Sequence, residues 1–125
     1  MPNFSETIDN FCEFLTEAKR TYTWNSEMVV KMDQLTQDYL HSLELDGLLY
    51  EERAKVATKL AACRQERRAH KDTTRVLEPL VEWLDTDKGK QLFNLLREIL
   101  GKTRKVEERM ETRAYCPRVL KKDAS

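Results

Sequence analysis

Glycine and proline are scarce in this chain, with three of each among 125 residues. An average chain of this length would hold roughly 15 in total. Tight hairpins and phosphate-binding loops depend on these residues for their backbone conformations. Their scarcity argues against sandwiches and barrels, and against doubly wound folds with a Gly-rich phosphate loop.

Long apolar runs are also missing, and none reaches the roughly 18 residues of a membrane-spanning helix. The first residues lack the basic and then apolar segments of a signal peptide. The three cysteines, Cys12, Cys63 and Cys116, are odd in number and form no Cys-x-x-Cys pair. A disulfide framework or a zinc site is therefore not expected. We expect free thiols, no metal, no cofactor, no membrane association and a cytoplasmic location.

Catalytic motifs are absent as well. The chain holds two histidines, His41 and His70, and has no His-Glu-x-x-His or Gly-x-Ser-x-Gly sequence. Residues 100–103 end like a phosphate-binding loop, but that motif needs a glycine at position 96, where the chain has Leu96. We therefore expect no enzyme and no catalytic residues.

What the chain does have is heptad periodicity. The segment from Asn3 to about Leu45 contains no glycine or proline, and Asn3 with Glu6 forms a capping-box-like start. Its seam positions alternate at spacings of four and three residues, which predicts one helix about 60 Å long. They are Phe4, Ile8, Phe11, Leu15, Ala18, Tyr22, Asn25, Val29, Met32, Thr36, Tyr39 and Leu43. The weakest stretch is Thr21–Ser26, where helix propensity is poor and a break would be placed.

Two further segments continue this pattern. Asp46-Gly47 predicts a turn, and a second helix follows from about Leu49 to Leu84, with Pro79 expected to kink or restart it. Residues 85–87 can cap a third helix, from about Lys88 to Tyr115. The prediction is an all-α fold of three long antiparallel helices in a coiled-coil-like bundle. Residues 1–116 form its single domain, and residues 117–125 are a basic flexible tail.

Charge is segregated along the chain, although the formal net charge is zero. Residues 1–52 carry 11 acidic and 3 basic side chains, whereas residues 53–125 carry 11 acidic and 19 basic ones. Such a chain can fold its acidic half onto its basic half, dimerise, or present a basic face to phosphates. Because long thin helices leave apolar seams exposed, we expect a homodimer or a higher oligomer.

The polar breaks of the three seams suggest a shared layer. If the chain folds back at residues 46–47 and again at residues 86–87, Asn25 lies opposite Arg68 and His70 opposite Thr103. The layer either sets the register of the helices or forms a cavity for an anionic, nucleotide-like ligand. In the second case arginine and lysine would bind phosphate, and an aromatic ring would stack on a base. The candidate ligand-binding residues are Tyr22, Trp24, Asn25, Arg67, His70, Lys71 and Thr103.

Four segments also carry a family resemblance: residues 36–44, 66–72, 101–105 and 113–120. In this order they resemble segments of small all-helical proteins encoded by phages and prophages of low-GC Gram-positive bacteria. The resemblance covers most of the chain from residue 30 onward. It implies a non-enzymatic, cytoplasmic accessory protein made during infection, and it assigns no functional residues.

Three functions remain open. The first is a binding protein that counteracts host defence, by sequestering an anionic nucleotide signal or by blocking a defence protein. The second is a structural or assembly factor, such as a morphogenesis chaperone or scaffold, whose helices pair with those of a partner. The third is a DNA-binding regulator that uses a basic face built from residues 64–71 and 102–105.

Overall fold

The computed structural model describes residues 3–112, which form three helices and no strand. These are α1 (Phe4–Leu45), α2 (Tyr50–Leu84) and α3 (Asp87–Thr112). The helices pack on one another as a bundle, so the predicted all-α class is confirmed. The predicted end of the third helix at Tyr115 and the predicted basic tail lie outside the described residues.

Helix α1 begins where the sequence predicted. The Asn3 side chain accepts a hydrogen bond from the Glu6 backbone N–H at 3.2 Å, which satisfies one of the free donors of the first turn. The helix then runs unbroken for 42 residues, about 63 Å. It passes through Thr21–Ser26 because its buried face continues there with Ala18, Asn25 and Met32. Tertiary packing therefore overrides the poor local propensity.

The turn between α1 and α2 reverses the chain. Gly47 has a φ of 55°, in the left-handed region that glycine adopts without steric cost. Helix α2 then runs antiparallel to α1, since the Cys63 thiol reaches the Met32 carbonyl and Asn25 meets His70. The predicted register is correct to within two residues. Pro79 lies inside α2, which continues past it to Leu84.

The junction between α2 and α3 does not reverse the chain, and the predicted folding of α3 back along α2 is wrong. Asp85 keeps a nearly helical backbone (φ −82°, ψ −8°), and Gly47 is the one described residue with a positive φ. Helix α3 consequently continues in the direction of α2. It packs antiparallel to the first third of α1, where Arg104 forms an ion pair with Asp9 at 3.3 Å.

Two contacts hold the ends of α3. At its start the Thr86 hydroxyl accepts a hydrogen bond from the Gly89 N–H at 3.2 Å. The backbones are so close here that a Cβ on Gly89 would lie 2.6 Å from the Leu84 Cα. The first turn of α3 thus rests directly on the last turn of α2. Near its other end Glu107 accepts from the Ser5 hydroxyl at 2.5 Å and from the Ser5 N–H at 3.0 Å. These hydrogen bonds hold the pKa of the Glu107 carboxyl below its ordinary value.

The core is thin. Few apolar side chains are buried, and no large side chain of residues 3–112 is completely buried. The buried ones are Cys12, Leu15, Ala18, Met32, Cys63, Val81, Leu84 and Leu100. Cys12 and Cys63 are both buried and are free thiols. Within the described part, no helix combines the length and apolar character needed to cross a membrane.

Candidate functional site

The middle of the α1–α2 contact contains a buried polar pair. Asn25 is 6% exposed, its amide nitrogen donates to the Thr21 carbonyl at 2.7 Å, and its oxygen lies 2.7 Å from His70 Nδ1. Because an amide oxygen has no proton, His70 Nδ1 is the donor. His70 Nε2 is buried with no hydrogen-bond partner among the described residues. The pair joins the two helices, and the Asn25 amide is engaged through both its nitrogen and its oxygen.

Two aromatic residues predicted for one site lie on different sides of α1. The Trp24 ring meets the His70 ring edge-on, with centroids 5.3 Å apart. Tyr22 precedes Trp24 by two residues, a rotation of about 200° around a helix, and lines a groove with Lys71 and Thr74. The structure therefore separates Trp24 and His70 from Tyr22 and Lys71.

Arg67 is engaged by an acidic partner. Its Nε donates to Asp33 Oδ1 at 2.6 Å, in an ion pair whose side chains are 37% and 54% exposed. This pairing follows the predicted complementation of an acidic α1 by a basic α2. Arg67 still borders a groove, but its charge is already partly neutralised.

Thr103 does not belong to the middle of the bundle, and its predicted approach to His70 is wrong. Arg104 pairs with Asp9, which places Thr103 at the first third of α1. Sixteen residues of helix separate Asp9 from Asn25, about 24 Å. The predicted common polar layer is therefore an α1–α2 feature, because the α2–α3 junction does not turn the chain back.

A row of cations, missing from the predicted site except for Lys71, lies along one side of α2. Arg64, Arg68, Lys71 and Arg75 follow one another at spacings of four, three and four residues, which places them on one helix face. All four are exposed, and none forms an ion pair with another described residue. We call these four residues the basic stripe. The same heptad spacing that identified the apolar seams was a signal for it.

Two grooves adjoin the basic stripe. The first, about 510 Å³, is lined by Arg64, Gln65, Arg67, Arg68, Lys71, Asp72 and Arg75. The second, about 340 Å³, is lined by Tyr22, Ser26, Val29, Lys71, Thr74, Arg75 and Glu78. They share Lys71 and Arg75, so a ligand with an anionic part and a flat polar part could occupy both.

A further cleft lies between α1 and α3. It is lined by Asp9, Glu13 and Glu17 from α1, facing Arg97 and Arg104 from α3. Its charges compensate each other across the cleft. No group of His, Cys, Asp or Glu side chains in residues 3–112 is arranged to hold a metal ion.

Comparison with known proteins gives no relative: no protein family, no curated protein and no solved structure matches this chain. The resemblance to phage and prophage proteins therefore stays a prediction.

Proposed function

We propose that the protein is a non-enzymatic binding protein that captures a nucleotide-like anion on the basic stripe of α2. The observation that carries the proposal is the row of Arg64, Arg68, Lys71 and Arg75, which projects four cations on one face without acidic partners among residues 3–112. Guanidinium groups bind phosphate through paired N–H donors, and the lysine adds a mobile point charge. The stripe spans twelve residues of helix, and its ends are about 16 Å apart.

The groove beside Tyr22 favours a nucleotide over simple phosphate. Tyr22 supplies an aromatic face and a hydroxyl, and Ser26 supplies a second hydroxyl within the same groove. A base could stack on the ring while its phosphates reach Lys71 and Arg75, which border both grooves. Of the residues predicted from sequence, Tyr22, Lys71 and Arg67 lie at this face.

The biological role follows from the predicted phage context. A small accessory protein that binds a nucleotide signal lowers its free concentration without any chemistry. We propose sequestration of such a signal during infection as the way in which the protein counteracts host defence. Cytoplasmic action belongs to the same proposal.

DNA binding is the less favoured use of the basic face. The second basic segment, residues 102–105, lies beside the first third of α1 and not beside the stripe. The two segments therefore form no continuous surface along which a duplex backbone could run. An assembly role is favoured by a different observation, the half-exposed apolar side chains of α1 and α3.

The test is a thermal-shift and calorimetric titration with ADP-ribose, a cyclic dinucleotide and inorganic triphosphate. A ligand at 100 times its Kd should stabilise the protein by about 2.7 kcal/mol. Arg68→Ala or Lys71→Ala should weaken binding about tenfold, as expected for loss of a charge-assisted hydrogen bond. Arg53→Ala, an exposed arginine of α2 outside the stripe, is the matched control and should bind normally.

Three outcomes would contradict the proposal. The first is no stabilisation by any of the three probes. The second is equal weakening by Arg53→Ala and Lys71→Ala, which would indicate nonspecific attraction. The third is tighter binding of a short DNA duplex than of the nucleotides, with an affinity that falls steeply with salt.

A further inference from the structure

The first third of α1 has an uncovered apolar side. Helix α2 ends at Leu84, which borders a groove with Leu15, so α2 does not extend along residues 4–14. Phe4, Phe11 and Phe14 are 62%, 47% and 55% exposed, and the rings of Phe11 and Phe14 stack with centroids 6.4 Å apart. The heptad seam of α1 thus continues beyond the helix that covers it.

Helix α3 adds an apolar edge at the same level. Leu92, Ile99 and Val106 are spaced by seven residues, which places them on one side of the helix, and they are 38%, 47% and 43% exposed. The Asp9–Arg104 ion pair sets Ile99 beside the level of Phe14.

The two apolar rows share one side of the α1–α3 pair. The opposite side is the charged cleft whose rim includes Glu13 and Arg97. Phe11 lies two residues from Glu13, and Ile99 lies two residues from Arg97, so each points about 200° away from the cleft residue. We call the surface of Phe4, Phe11, Phe14, Leu92, Ile99 and Val106 the aromatic–aliphatic face.

We propose that a second copy of this chain covers the aromatic–aliphatic face, with α3 packed antiparallel to α3 around a two-fold axis at Ile99. The spacing of the aliphatic row is symmetric about Ile99, because Leu92 and Val106 each lie seven residues from it. An antiparallel pair centred there sets Leu92 of each copy against Val106 of the other. It also brings Glu98 of one copy near Lys102 of the other, so charges at the margin are complementary.

The size of the face fits a dimer. With about 200 Å² of surface for a phenylalanine side chain, the three half-exposed rings offer roughly 300 Å². The aliphatic row brings the apolar part to roughly 500 Å² per copy, against about 800 Å² of total surface per partner in a standard interface. A patch of this size matches the largest apolar patch of a typical monomer, about 300–600 Å², and such patches often serve as interaction sites. This interface lies apart from the basic stripe, so the dimer and the proposed anion binding are independent.

The first test is the mass in solution, measured by light scattering at micromolar concentration. The wild-type protein should have a measured mass of twice 14.8 kDa. Ile99→Glu should run as a monomer while keeping its helical circular dichroism. Val76→Glu alters a 78% exposed valine of α2 outside the face, and it should remain dimeric. A monomeric wild type, or a dimeric Ile99→Glu, would overturn the proposal.

The second test fixes the geometry by disulfide trapping in a Cys116→Ser background. Ile99→Cys should link to itself on oxidation, since residues on the axis come within the roughly 4.4–6.8 Å Cα separation of a disulfide. Leu92→Cys should not link to itself but should link to Val106→Cys in a mixture. Self-linkage of Leu92→Cys would indicate a parallel pair, and absence of any Ile99→Cys linkage would place the axis elsewhere. Either result would overturn the proposed interface.

Discussion

Replacing Asn25 alone should destabilise the protein more than replacing Asn25 and His70 together. In Asn25→Leu, His70 Nδ1–H loses the acceptor it reaches at 2.7 Å, while Nε2 already has no partner among the described residues. A buried donor without a partner costs about 1–3 kcal/mol. His70→Leu should likewise leave the Asn25 oxygen, on a residue only 6% exposed, without its donor.

The double variant removes both unpaired groups. Asn25→Leu with His70→Leu exchanges a hydrogen-bonded pair for two apolar side chains, which is often neutral or stabilising. The losses of unfolding free energy in the two single variants should therefore not add up to the loss in the double variant. We expect a coupling of roughly 1–3 kcal/mol, in the range measured for residues in contact.

Urea unfolding followed by circular dichroism measures these values, with all four proteins at one concentration. Thr36→Val is a useful comparison, because Thr36 is also a buried polar residue of α1 but contacts the weak partner Cys63. Thr36→Val should lower the free energy of unfolding by less than Asn25→Leu does. Additive single variants, or an unchanged midpoint in Asn25→Leu, would refute the view that the pair is a structural element joining α1 and α2.

Three further predictions concern other contacts. Gly89→Ala should destabilise by about 1–3 kcal/mol, because its Cβ would strike the backbone of α2. Gly101→Ala, where nothing lies within 4 Å, should instead stabilise by about 0.5–1 kcal/mol; equal effects in urea unfolding would contradict this. Arg67→Ala breaks a half-exposed ion pair and should cost at most about 1 kcal/mol in the same assay. The Glu107 pKa is lowered in the folded state by hydrogen bonds from Ser5, so its stabilisation is present above the unfolded carboxyl pKa and is lost as pH falls through the folded value. Glu107→Gln should flatten the acid limb of the stability profile, and an unchanged limb would count against this contact.

The α1–α2 hairpin could be predicted from the sequence because each of its signals is local. The Asn3 cap, the alternating apolar spacing and the turn at Gly47 each specify backbone geometry within a few residues. The antiparallel register then follows from the short turn. The buried Asn25–His70 pair could also be anticipated, since both residues interrupt apolar seams at matching distances from that turn.

The direction of α3 could not be predicted on the same reasoning. A short connection predicts a reversal of the chain, but Asp85 keeps a nearly helical φ and ψ, and no residue from Thr86 to Thr112 has a positive φ. The sequence feature that marks this geometry is Gly89, because a residue without Cβ permits the close crossing of α3 over the end of α2. Which face of α3 is buried follows from that crossing and not from its heptads. Leu92, Ile99 and Val106, which recur every seven residues along α3, are therefore half exposed.

The candidate site was misplaced for the same reason. The predicted site sets Thr103 near His70, whereas α3 places Thr103 at the first third of α1. The predicted site also groups Trp24 with Tyr22, although residues two apart on a helix point to different sides. Lys71 and Tyr22 do line one groove, and exposed arginines lie beside them. A register estimate gives the level of a residue along a bundle, but the direction of its side chain depends on the local rotation of the helix.

The placement of α3 along the first third of α1 is the central structural claim, and a pair of spin-label distances tests it most directly. Labels at the exposed positions 10 and 102, in protein diluted with unlabelled chain, should lie within about 20 Å, since packed helix axes are about 8–10 Å apart. Labels at positions 72 and 102 should lie clearly farther apart than those at 10 and 102, because the helix rise between their levels on α1 is by itself about 18 Å. The reverse result, with 72 and 102 close and 10 and 102 distant, would mean that α3 folds back along α2 and would contradict the fold described above.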